Sequence, residues 1–220
     1  MRILLFGATG MVGQGVLHEC LADGDVTQVL CVGRNPSGRT HPKLHELVIS
    51  DLYDYSAMED RMAGFDACFF CLGVSSVGMS EEDYRRVTYD LTLAAARTLA
   101  RLNPQMTFVY VSGAGTDSTE RGSRMWARVK GATENALMRL PFRAAYMFRP
   151  GFIQPLHGVR SKTALYRAAY VIAAPVFGLL RRWRPDSVTT SVQVGRAMLA
   201  VAKRGALAPL VEMADINALG

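Results

Sequence analysis

Short apolar runs alternate with longer stretches of helical spacing along the first two thirds of the chain. Nearly continuous apolar runs are typical of strands that are buried on both faces of a parallel sheet. The six predicted strands are Arg2–Phe6, Gln28–Val32, Glu46–Ile49, Ala67–Leu72, Met106–Val111 and Ala144–Phe148. The predicted helices between them are Met11–Ala22, Ser80–Leu102 and Met125–Leu140. This order predicts an α/β fold with a doubly wound, mostly parallel sheet covered by helices on both faces.

The pattern changes after Pro150. Residues 155–187 are rich in arginine, proline and aromatic side chains, and their spacing predicts a helix around Thr163–Leu180. A last helix is predicted at Val192–Lys203, followed by a short apolar run at Leu210–Met213. Because the 220 residues contain no linker and no repeat, we predict a single domain, 1–220, in which 155–187 form a small C-terminal helical cap.

The predicted cap helix contains thirteen uncharged residues, from Ala168 to Leu180, with arginines before and after them. The run is too short to span a bilayer, and Pro175 interrupts it. Three interpretations stay open for residues 163–184. They are a lid over an apolar substrate pocket, an interfacial helix that makes a peripheral membrane contact, and a contact between two copies in a homodimer.

Charge is distributed unevenly along the chain. The formal net charge of +6 combines −6 over residues 1–120 with +12 over residues 121–220. A basic half indicates either a solvated surface or an anionic partner, such as a nucleic acid, a membrane or a phosphorylated ligand. Because the sequence has no zinc-finger, basic-zipper or helix-turn-helix pattern, no nucleic acid partner is expected.

The four cysteines, Cys20, Cys31, Cys68 and Cys71, all lie in apolar surroundings. Cys68 and Cys71 form a CxxC pattern within a predicted strand, where residues three apart point to opposite faces. No further cysteine pair or nearby histidine completes a metal site, so no metal is expected. Met1-Arg2 leads directly into the first strand without a signal peptide, and we therefore expect a reducing, cytoplasmic location.

A glycine-rich turn connects the first predicted strand to the first helix. It reads Gly7-Ala8-Thr9-Gly10-Met11-Val12-Gly13. The first glycine of such a turn allows a tight bend, the second allows close approach to a pyrophosphate, and the third allows the helix to pack against the sheet. The N–H groups of the first helical turn then bind the phosphates. This context, strand then turn then helix, predicts a dinucleotide site.

The end of the second predicted strand indicates which dinucleotide is bound. An NAD site places Asp or Glu there to bind the ribose hydroxyls, but this chain has Gly33, Arg34 and Asn35. The planar guanidinium of Arg34 matches a 2′-phosphate in charge and geometry. The sequence therefore predicts NADP rather than NAD as the cofactor. Further ligand contacts are expected at the carboxyl ends of the third and fourth strands, at Asp51-Leu52 and Cys71-Leu72-Gly73.

These motifs together resemble the atypical branch of the short-chain dehydrogenase/reductase superfamily. The resemblance extends from Met1 to about Pro155 and is carried by GATGMVG, VGRNP, SDL, CLG, YVSGAG, WARVKGATE and RPGFIQP. The groups concerned are the NAD(P)-binding proteins similar to the Tat-interactive protein, the NmrA-like proteins and the extended epimerase/dehydratases. The resemblance implies a Rossmann fold and places the substrate pocket between the sheet and the region after Pro150.

The resemblance also implies a role for individual positions. Gly7, Thr9, Gly10, Met11 and Val12 would hold the pyrophosphate. On the adenosine side, Gly33 and Arg34 would face the 2′-phosphate, and Asp51 with Leu52 would flank the adenine. Ser112 and Lys130 would be the catalytic serine and lysine, and would also contact the cofactor. Cys71, Leu72 and Gly73 would line the nicotinamide ribose, and Pro150, Gly151, Phe152 and Ile153 would close over the carboxamide.

One position departs from the family pattern. The YxxxK motif places a tyrosine four residues before the lysine, and this chain has Trp126 there. In the family the tyrosine exchanges a proton with the substrate oxygen, which an indole N–H cannot do because it does not ionise at useful pH. Cofactor binding is expected to survive this change, whereas the standard proton transfer is not. Ser112, Ser123, Tyr166 and Tyr170 are other hydroxyls that could replace the tyrosine.

Two functions follow from these observations. The first is an NADP(H)-dependent oxidoreductase or epimerase-like enzyme that acts on a small, apolar or lipid-like carbonyl or alcohol. The second is a non-catalytic NADP(H)-binding protein with a regulatory or redox-sensing role. Trp126 favours the second function, and the apolar cap favours the first.

Overall fold

The computed structural model describes residues 1–156 and 188–220. Its strands are β1 (Arg2–Phe6), β2 (Gln28–Gly33), β3 (Leu44–Val48), β4 (Ala67–Phe70), β5 (Thr107–Val111), β6 (Ala144–Phe148), β7 (Phe152–Gln154), β8 (Val188–Thr190) and β9 (Leu210–Val211). Within the described residues, seven of them form a parallel sheet in the order β3-β2-β1-β4-β5-β6-β9. The short strands β7 and β8 form a separate parallel pair.

Helices cover both faces of the seven-stranded sheet. They are α1 (Met11–Ala22), α2 (Glu59–Met62), α3 (Glu81–Arg85), α4 (Leu91–Leu102), α5 (Met125–Met138), α6 (Ser191–Arg204) and α7 (Met213–Leu219). A 3₁₀ turn, Ser56–Met58, precedes α2, and a π-helical turn, Arg86–Asp90, joins α3 to α4.

Alternate residues of β1 face two different apolar cores. Ile3 and Leu5 pack with the residues of α1 and α6, whereas Leu4 and Phe6 pack with those of α4 and α5. All four side chains are fully buried. This alternation, with helices on both faces of a parallel sheet, confirms the predicted α/β doubly wound fold.

All six predicted strands are present, with small differences at their ends. The fourth was predicted to reach Leu72 but ends at Phe70, where its pairing with β1 ends. The Cys71 N–H still donates to the Phe6 carbonyl at 3.0 Å. The continuous helix predicted over Ser80–Leu102 is wrong in one respect, since the π-helical turn Arg86–Asp90 interrupts it.

The sequence pattern missed β7, β8, α2 and α7. These elements have three to seven residues, too few to establish a periodicity, and β7 pairs with β8 across a long separation in sequence. The predicted cap, 155–187, and its helix at Thr163–Leu180 fall on residues 157–187, outside the described residues except for Pro155 and Leu156. The prediction of a single domain stays a prediction.

Candidate functional site

The turn between β1 and α1 is built against the end of β4. Gly7 has φ +81°, and a Cβ at this position would lie 2.7 Å from the carbonyl carbon of Cys71. A Cβ at Gly13 would lie 2.0 Å from the Gly7 carbonyl oxygen. Both positions therefore require glycine. The nearest neighbours of Gly13 are Gly7 and Ala8, directly after β1, so this glycine lets α1 start close to the end of the strand.

The N-terminus of α1 presents backbone N–H groups without a side-chain cap. Gly10 is the N-cap residue and has no side chain to accept from the first helical turn, which also contains no acidic residue. Met11 and Val12 begin this turn. Uncapped N–H groups at the positive end of a helix dipole favour an anionic group such as a phosphate.

A cleft of about 110 Å³ lies beside this turn, at the carboxyl ends of β1, β2 and β3. Six residues predicted to bind the cofactor line it: Gly7, Thr9, Gly33, Arg34, Leu72 and the buried Leu52. Asp51 does not line the cleft; it is exposed, and its Oδ1 accepts a hydrogen bond from the Tyr53 N–H at 2.7 Å. The structure therefore brings most of the predicted adenosine half together in one place.

Arg34 lies exposed at the edge of this cleft. In residues 1–156 and 188–220, no hydrogen bond or ion pair joins its guanidinium to another side chain or to the backbone. The acidic residue in the same cleft, Glu46, accepts from the Ser37 N–H at 2.6 Å. A guanidinium without a partner in the described residues, beside this cleft, can bind a phosphate in two-pronged geometry.

A second group of predicted residues meets at the ends of β5 and β6. Lys130, on α5, donates from Nζ to the backbone carbonyl of Ser112, which directly follows β5. The Ser112 hydroxyl is buried; it donates to Glu134 and lies 3.1 Å from the carbonyl oxygen of Phe148. The predicted pair Ser112 and Lys130 is therefore in contact, but through the serine carbonyl.

Burial lowers the pKa of Lys130 to about 8, and the negative charge of Glu134 opposes this shift. Glu134 lies four residues after Lys130 on the same helix face. An amine with a pKa near 8 can hold or release a proton close to neutral pH.

A buried ion pair, not predicted from the sequence, lies beside Ser112. Glu134 is fully buried, and its carboxylate binds the guanidinium of Arg149 in two-pronged geometry. The sequence marks the two positions, but not their pairing. Glu134 follows Lys130 by one helical turn, and Arg149 directly precedes the Pro150 segment.

Trp126 is half-buried, one helical turn before Lys130. Its ring lies against the loop after β5, where a Cβ at Gly115 would be 3.6 Å from the indole Cη2. The indole at the position of the family's tyrosine therefore packs against this loop.

The Pro150–Ile153 segment leaves β6 and enters β7. The Pro150 carbonyl accepts a hydrogen bond from the Ala114 N–H at 2.9 Å, which joins this segment to the loop after β5. Gly151 and Gly73 are exposed, Phe152 and Cys71 are half-buried, and Ile153 is buried.

The cysteines are free thiols in the structure. Burial raises the pKa of the Cys31 thiol to about 12, which makes it a poor nucleophile at neutral pH. Within the part of the chain that the structure describes, no group of three or more His, Cys, Asp and Glu side chains could hold a metal ion.

Comparisons with known proteins agree with this geometry. The model of a family described as NAD(P)H-binding matches residues 7–140. The FMP52 protein of Chaetomium globosum is 25% identical over 157 residues, covering 68% of this chain and 65% of that protein. The HTATIP2 protein of Rattus norvegicus is 26% identical over 154 residues, covering 69% and 62%. For the first three curated relatives, the alignments span 45–66% of the relative's length.

Solved structures share the fold at low sequence identity. WbmF of Bordetella bronchiseptica, solved with NAD⁺, superposes with a TM-score of 0.70 at 14% identity, covering 99% of this chain and 76% of that chain. Gre2 of Candida albicans, solved with NADPH, superposes with a TM-score of 0.69 at 12% identity, covering 93% and 75%. Because one was solved with NAD⁺ and the other with NADPH, the likeness does not distinguish the two nucleotides.

The comparisons contradict the expected cytoplasmic location. FMP52 relatives from four fungi are named as mitochondrial proteins. The reasoning from cysteines was too coarse, because reduced thiols exclude only an oxidising compartment and do not identify which reducing compartment is occupied.

No helix in the two described ranges is long and apolar enough to cross a bilayer. The membrane contact predicted for 163–184 falls on residues outside them.

Proposed function

Because the chain belongs to the NAD(P)H-binding family, we propose that it is an NADP(H)-dependent oxidoreductase of the atypical short-chain dehydrogenase/reductase type. The observation that carries this proposal is the guanidinium of Arg34, which has no partner among residues 1–156 and 188–220 and lies at the cleft that Gly7, Thr9 and Leu52 line. A 2′-phosphate on the adenosine ribose supplies the anion that this guanidinium lacks.

The residues of the cleft fit a dinucleotide. Gly7 and Gly13 leave no room for a Cβ, so the turn can approach a pyrophosphate closely, and the uncapped start of α1 donates N–H groups to it. Met11 and Val12 belong to that start. On the other side of the site, Cys71–Gly73 and the segment Pro150–Ile153 would enclose the nicotinamide. When bound, reduced nicotinamide supplies the reducing equivalents for a carbonyl group.

Lys130 takes over the proton transfer in this proposal. Trp126 occupies the position of the usual phenol and cannot provide an ionisable hydroxyl. The pKa of Lys130, lowered to about 8 by burial, allows its ammonium to give a proton to a substrate oxygen and to regain one from water. Nζ donates one bond to the Ser112 carbonyl, which leaves further N–H groups for the ribose and the substrate.

A non-catalytic NADP(H)-binding protein is the second candidate function. The observation that favours it is the Ser112 hydroxyl, which donates within the protein to Glu134. Because Trp126 stands at the tyrosine position, the tyrosine hydroxyl is absent as well. Neither hydroxyl of the family's serine and tyrosine pair is then available to a substrate. Such a protein would report the redox state of NADP(H) to a partner.

The substrate proposed for the enzyme is a small, apolar carbonyl or alcohol. An apolar wall formed by Trp126 suits such a substrate. An epimerase-like reaction at the same site is part of the proposal. A peripheral membrane contact and a homodimer are also part of it, and the sequence assigns both contacts to residues 163–184.

The decisive experiment titrates purified protein with NADPH and then follows nicotinamide absorbance with a panel of aldehydes and ketones. Turnover that Lys130→Met abolishes, and that the control Lys203→Met retains, supports the enzyme. Tight binding without turnover, together with turnover in Trp126→Tyr, supports the non-catalytic protein instead. Absence of NADPH binding contradicts both functions.

A further inference from the structure

Two side chains of α5 contact the same serine from one helix face. Lys130 donates from Nζ to the backbone carbonyl of Ser112, and Glu134 accepts a hydrogen bond from its hydroxyl. Residues four apart on a helix lie above one another, so both contacts are made at the same end of β5. Ser112 is therefore held at its backbone and at its side chain by neighbouring turns of one helix.

The hydroxyl of Ser112 has a single proton, and two acceptors lie within its reach. One is the carboxylate of Glu134, and the other is the Phe148 carbonyl oxygen at 3.1 Å. A serine hydroxyl can donate only one hydrogen bond, and a carboxylate is the stronger acceptor. The donor capacity of this hydroxyl is thus used inside the protein.

We propose that Glu134 is a positioning residue for the nicotinamide half of the site. In this assignment it holds Ser112 so that the serine acts through its backbone carbonyl, which anchors Lys130, and not through its hydroxyl. The inference rests on the proposed function, because it concerns the lysine to which that function gives the proton transfer.

Arg149 connects Glu134 to the Pro150–Ile153 segment, on the other side of the proposed nicotinamide site. Its Nε lies 3.1 Å from Glu134 Oε1 and its Nη2 lies 2.5 Å from Oε2. The same guanidinium donates to Ser118 Oγ at 2.6 Å and to Glu212 Oε1 at 3.1 Å. Arg149 directly precedes Pro150, so Glu134 connects the lysine anchor to the start of the Pro150–Ile153 segment.

A role in stability alone does not explain this arrangement. Replacing a buried ion pair by apolar side chains of similar volume is often neutral or stabilising, so burial of this pair is weak evidence for a purely stabilising role. The pair does provide fixed geometry, because each of the two carboxylate oxygens accepts from a defined donor. Fixed geometry is what a lysine in a reaction site needs.

The test measures how strongly Lys130 is held, in the full chain and without nucleotide. The chain has only four lysines, Lys43, Lys130, Lys162 and Lys203, so competitive acylation with acetic anhydride can follow each of them by peptide mass spectrometry. Glu134→Gln keeps the size of the side chain but replaces one acceptor oxygen by a donor. Glu81→Gln is the matched control, because it removes the same charge from an exposed ion pair with Arg128 of α5.

Because loss of the Glu134 charge also lowers the pKa of Lys130, acylation is followed from pH 6 to 10 and the pH-independent rate constant of the neutral amine is compared. In Glu134→Gln this rate constant, relative to that of Lys203, is expected to rise about fivefold or more, the equivalent of the lost hydrogen bond between Ser112 and Glu134. In Ser112→Ala the rise is expected to be about twofold to threefold, because the carbonyl remains and only its orientation is loosened. The Glu81→Gln control should show no comparable rise. An unchanged rate in Glu134→Gln, or a rise of the same size in the control, overturns the proposal.

Two further arrangements keep the test decisive. If Glu134→Gln alone does not fold, the double variant Glu134→Gln/Arg149→Gln removes both charges and is expected to show the same release of Lys130. Where the wild type reduces a carbonyl, Ser112→Ala should lower kcat by less than about tenfold; a loss of about a hundredfold or more identifies the hydroxyl as catalytic and overturns the proposal. Failure of the wild type to bind NADPH contradicts the proposed function but leaves the acylation result valid.

Discussion

The guanidinium of Arg149 and the carboxylate of Glu134 form a two-pronged ion pair in the protein interior. Nε lies 3.1 Å from Oε1, and Nη2 lies 2.5 Å from Oε2. The pair joins α5, which holds Lys130, to the end of β6, where the Pro150–Ile153 segment begins. It lies between the two parts of the chain that the proposed nicotinamide site needs to keep in register.

Breaking this pair from one side is expected to destabilise the fold strongly. Glu134→Ala leaves the buried guanidinium of Arg149 without its main partner, and we expect a loss of about 3–5 kcal/mol in the free energy of unfolding. Urea denaturation followed by circular dichroism measures it. Glu59→Ala, which removes the partner of the exposed Arg101, is the control and should cause a much smaller loss. Equal losses in the two variants would contradict the assignment of a buried pair.

Arg34→Ala is expected to remove the preference for NADPH over NADH. Loss of a charged hydrogen-bonding partner for the 2′-phosphate should weaken NADPH binding by roughly tenfold or more and leave NADH binding nearly unchanged. Fluorescence titration with both nucleotides gives the ratio. Arg39→Ala, an exposed arginine five residues further along the same loop, serves as the control. If the wild type binds both nucleotides equally well, Arg34 does not have this role.

Alanine substitutions at Gly7 and Gly38 distinguish the cost of a steric contact from the cost of a positive φ. Gly38 has φ +74° with open space around its Cβ position, so Gly38→Ala should cost about 1 kcal/mol through its backbone conformation alone. Gly7→Ala adds the contact with the Cys71 carbonyl carbon and should lose clearly more stability, together with nucleotide affinity. Thermal unfolding and NADPH titration of both variants check this. Similar effects in the two variants would show that the close approach at Gly7 relaxes easily.

Lys130 is expected to make stability depend on pH above neutrality. Its folded-state pKa, about 8, lies below the unfolded value of 10.5. Between these two values the unfolded chain binds more protons, so the contribution of Lys130 to stability rises as pH increases from about 8 to 10.5. Below pH 8 the buried ammonium is destabilising, by roughly 1–3 kcal/mol relative to the neutral amine.

Comparison with Lys130→Met isolates this effect from the tyrosines and cysteines that titrate in the same range. The difference in unfolding free energy between the two proteins should change in favour of the wild type as pH increases from 8 to 10. Denaturation with urea at several pH values measures this difference. A difference that stays constant over this range would mean that Lys130 is solvated like an ordinary surface lysine.

The sheet and the adenosine half of the site could be predicted from local patterns. A parallel strand buried on both faces must be almost wholly apolar. The sequence therefore shows β1, β2, β4 and β5 as nearly continuous apolar segments. The turn of Gly7, Gly10 and Gly13 has its own signal, because only glycine fits where its Cβ would meet Cys71 or the Gly7 carbonyl. Arg34 was found because its position at the end of β2 follows from the strand assignment.

The nicotinamide half could be predicted only in part. Ser112 and Lys130 follow from the family motifs, but the donors and acceptors that they face depend on how α5 is rotated against β5 and β6. The Ser112 hydroxyl donates to Glu134 because that rotation puts Lys130 and Glu134 over the same serine. No spacing in the sequence distinguishes this arrangement from one in which the hydroxyl faces the substrate.

Local sequence therefore determined the strands, the glycine turn, the arginine beside the adenosine cleft and the loss of the tyrosine at Trp126. Their signals lie within a few residues, since strand burial, a positive φ and a missing hydroxyl are local properties. Tertiary packing alone decided the pairing of Glu134 with Arg149, which are 15 residues apart. It also decided the burial that lowers the pKa of Lys130, because burial depends on elements that meet only when the sheet is assembled.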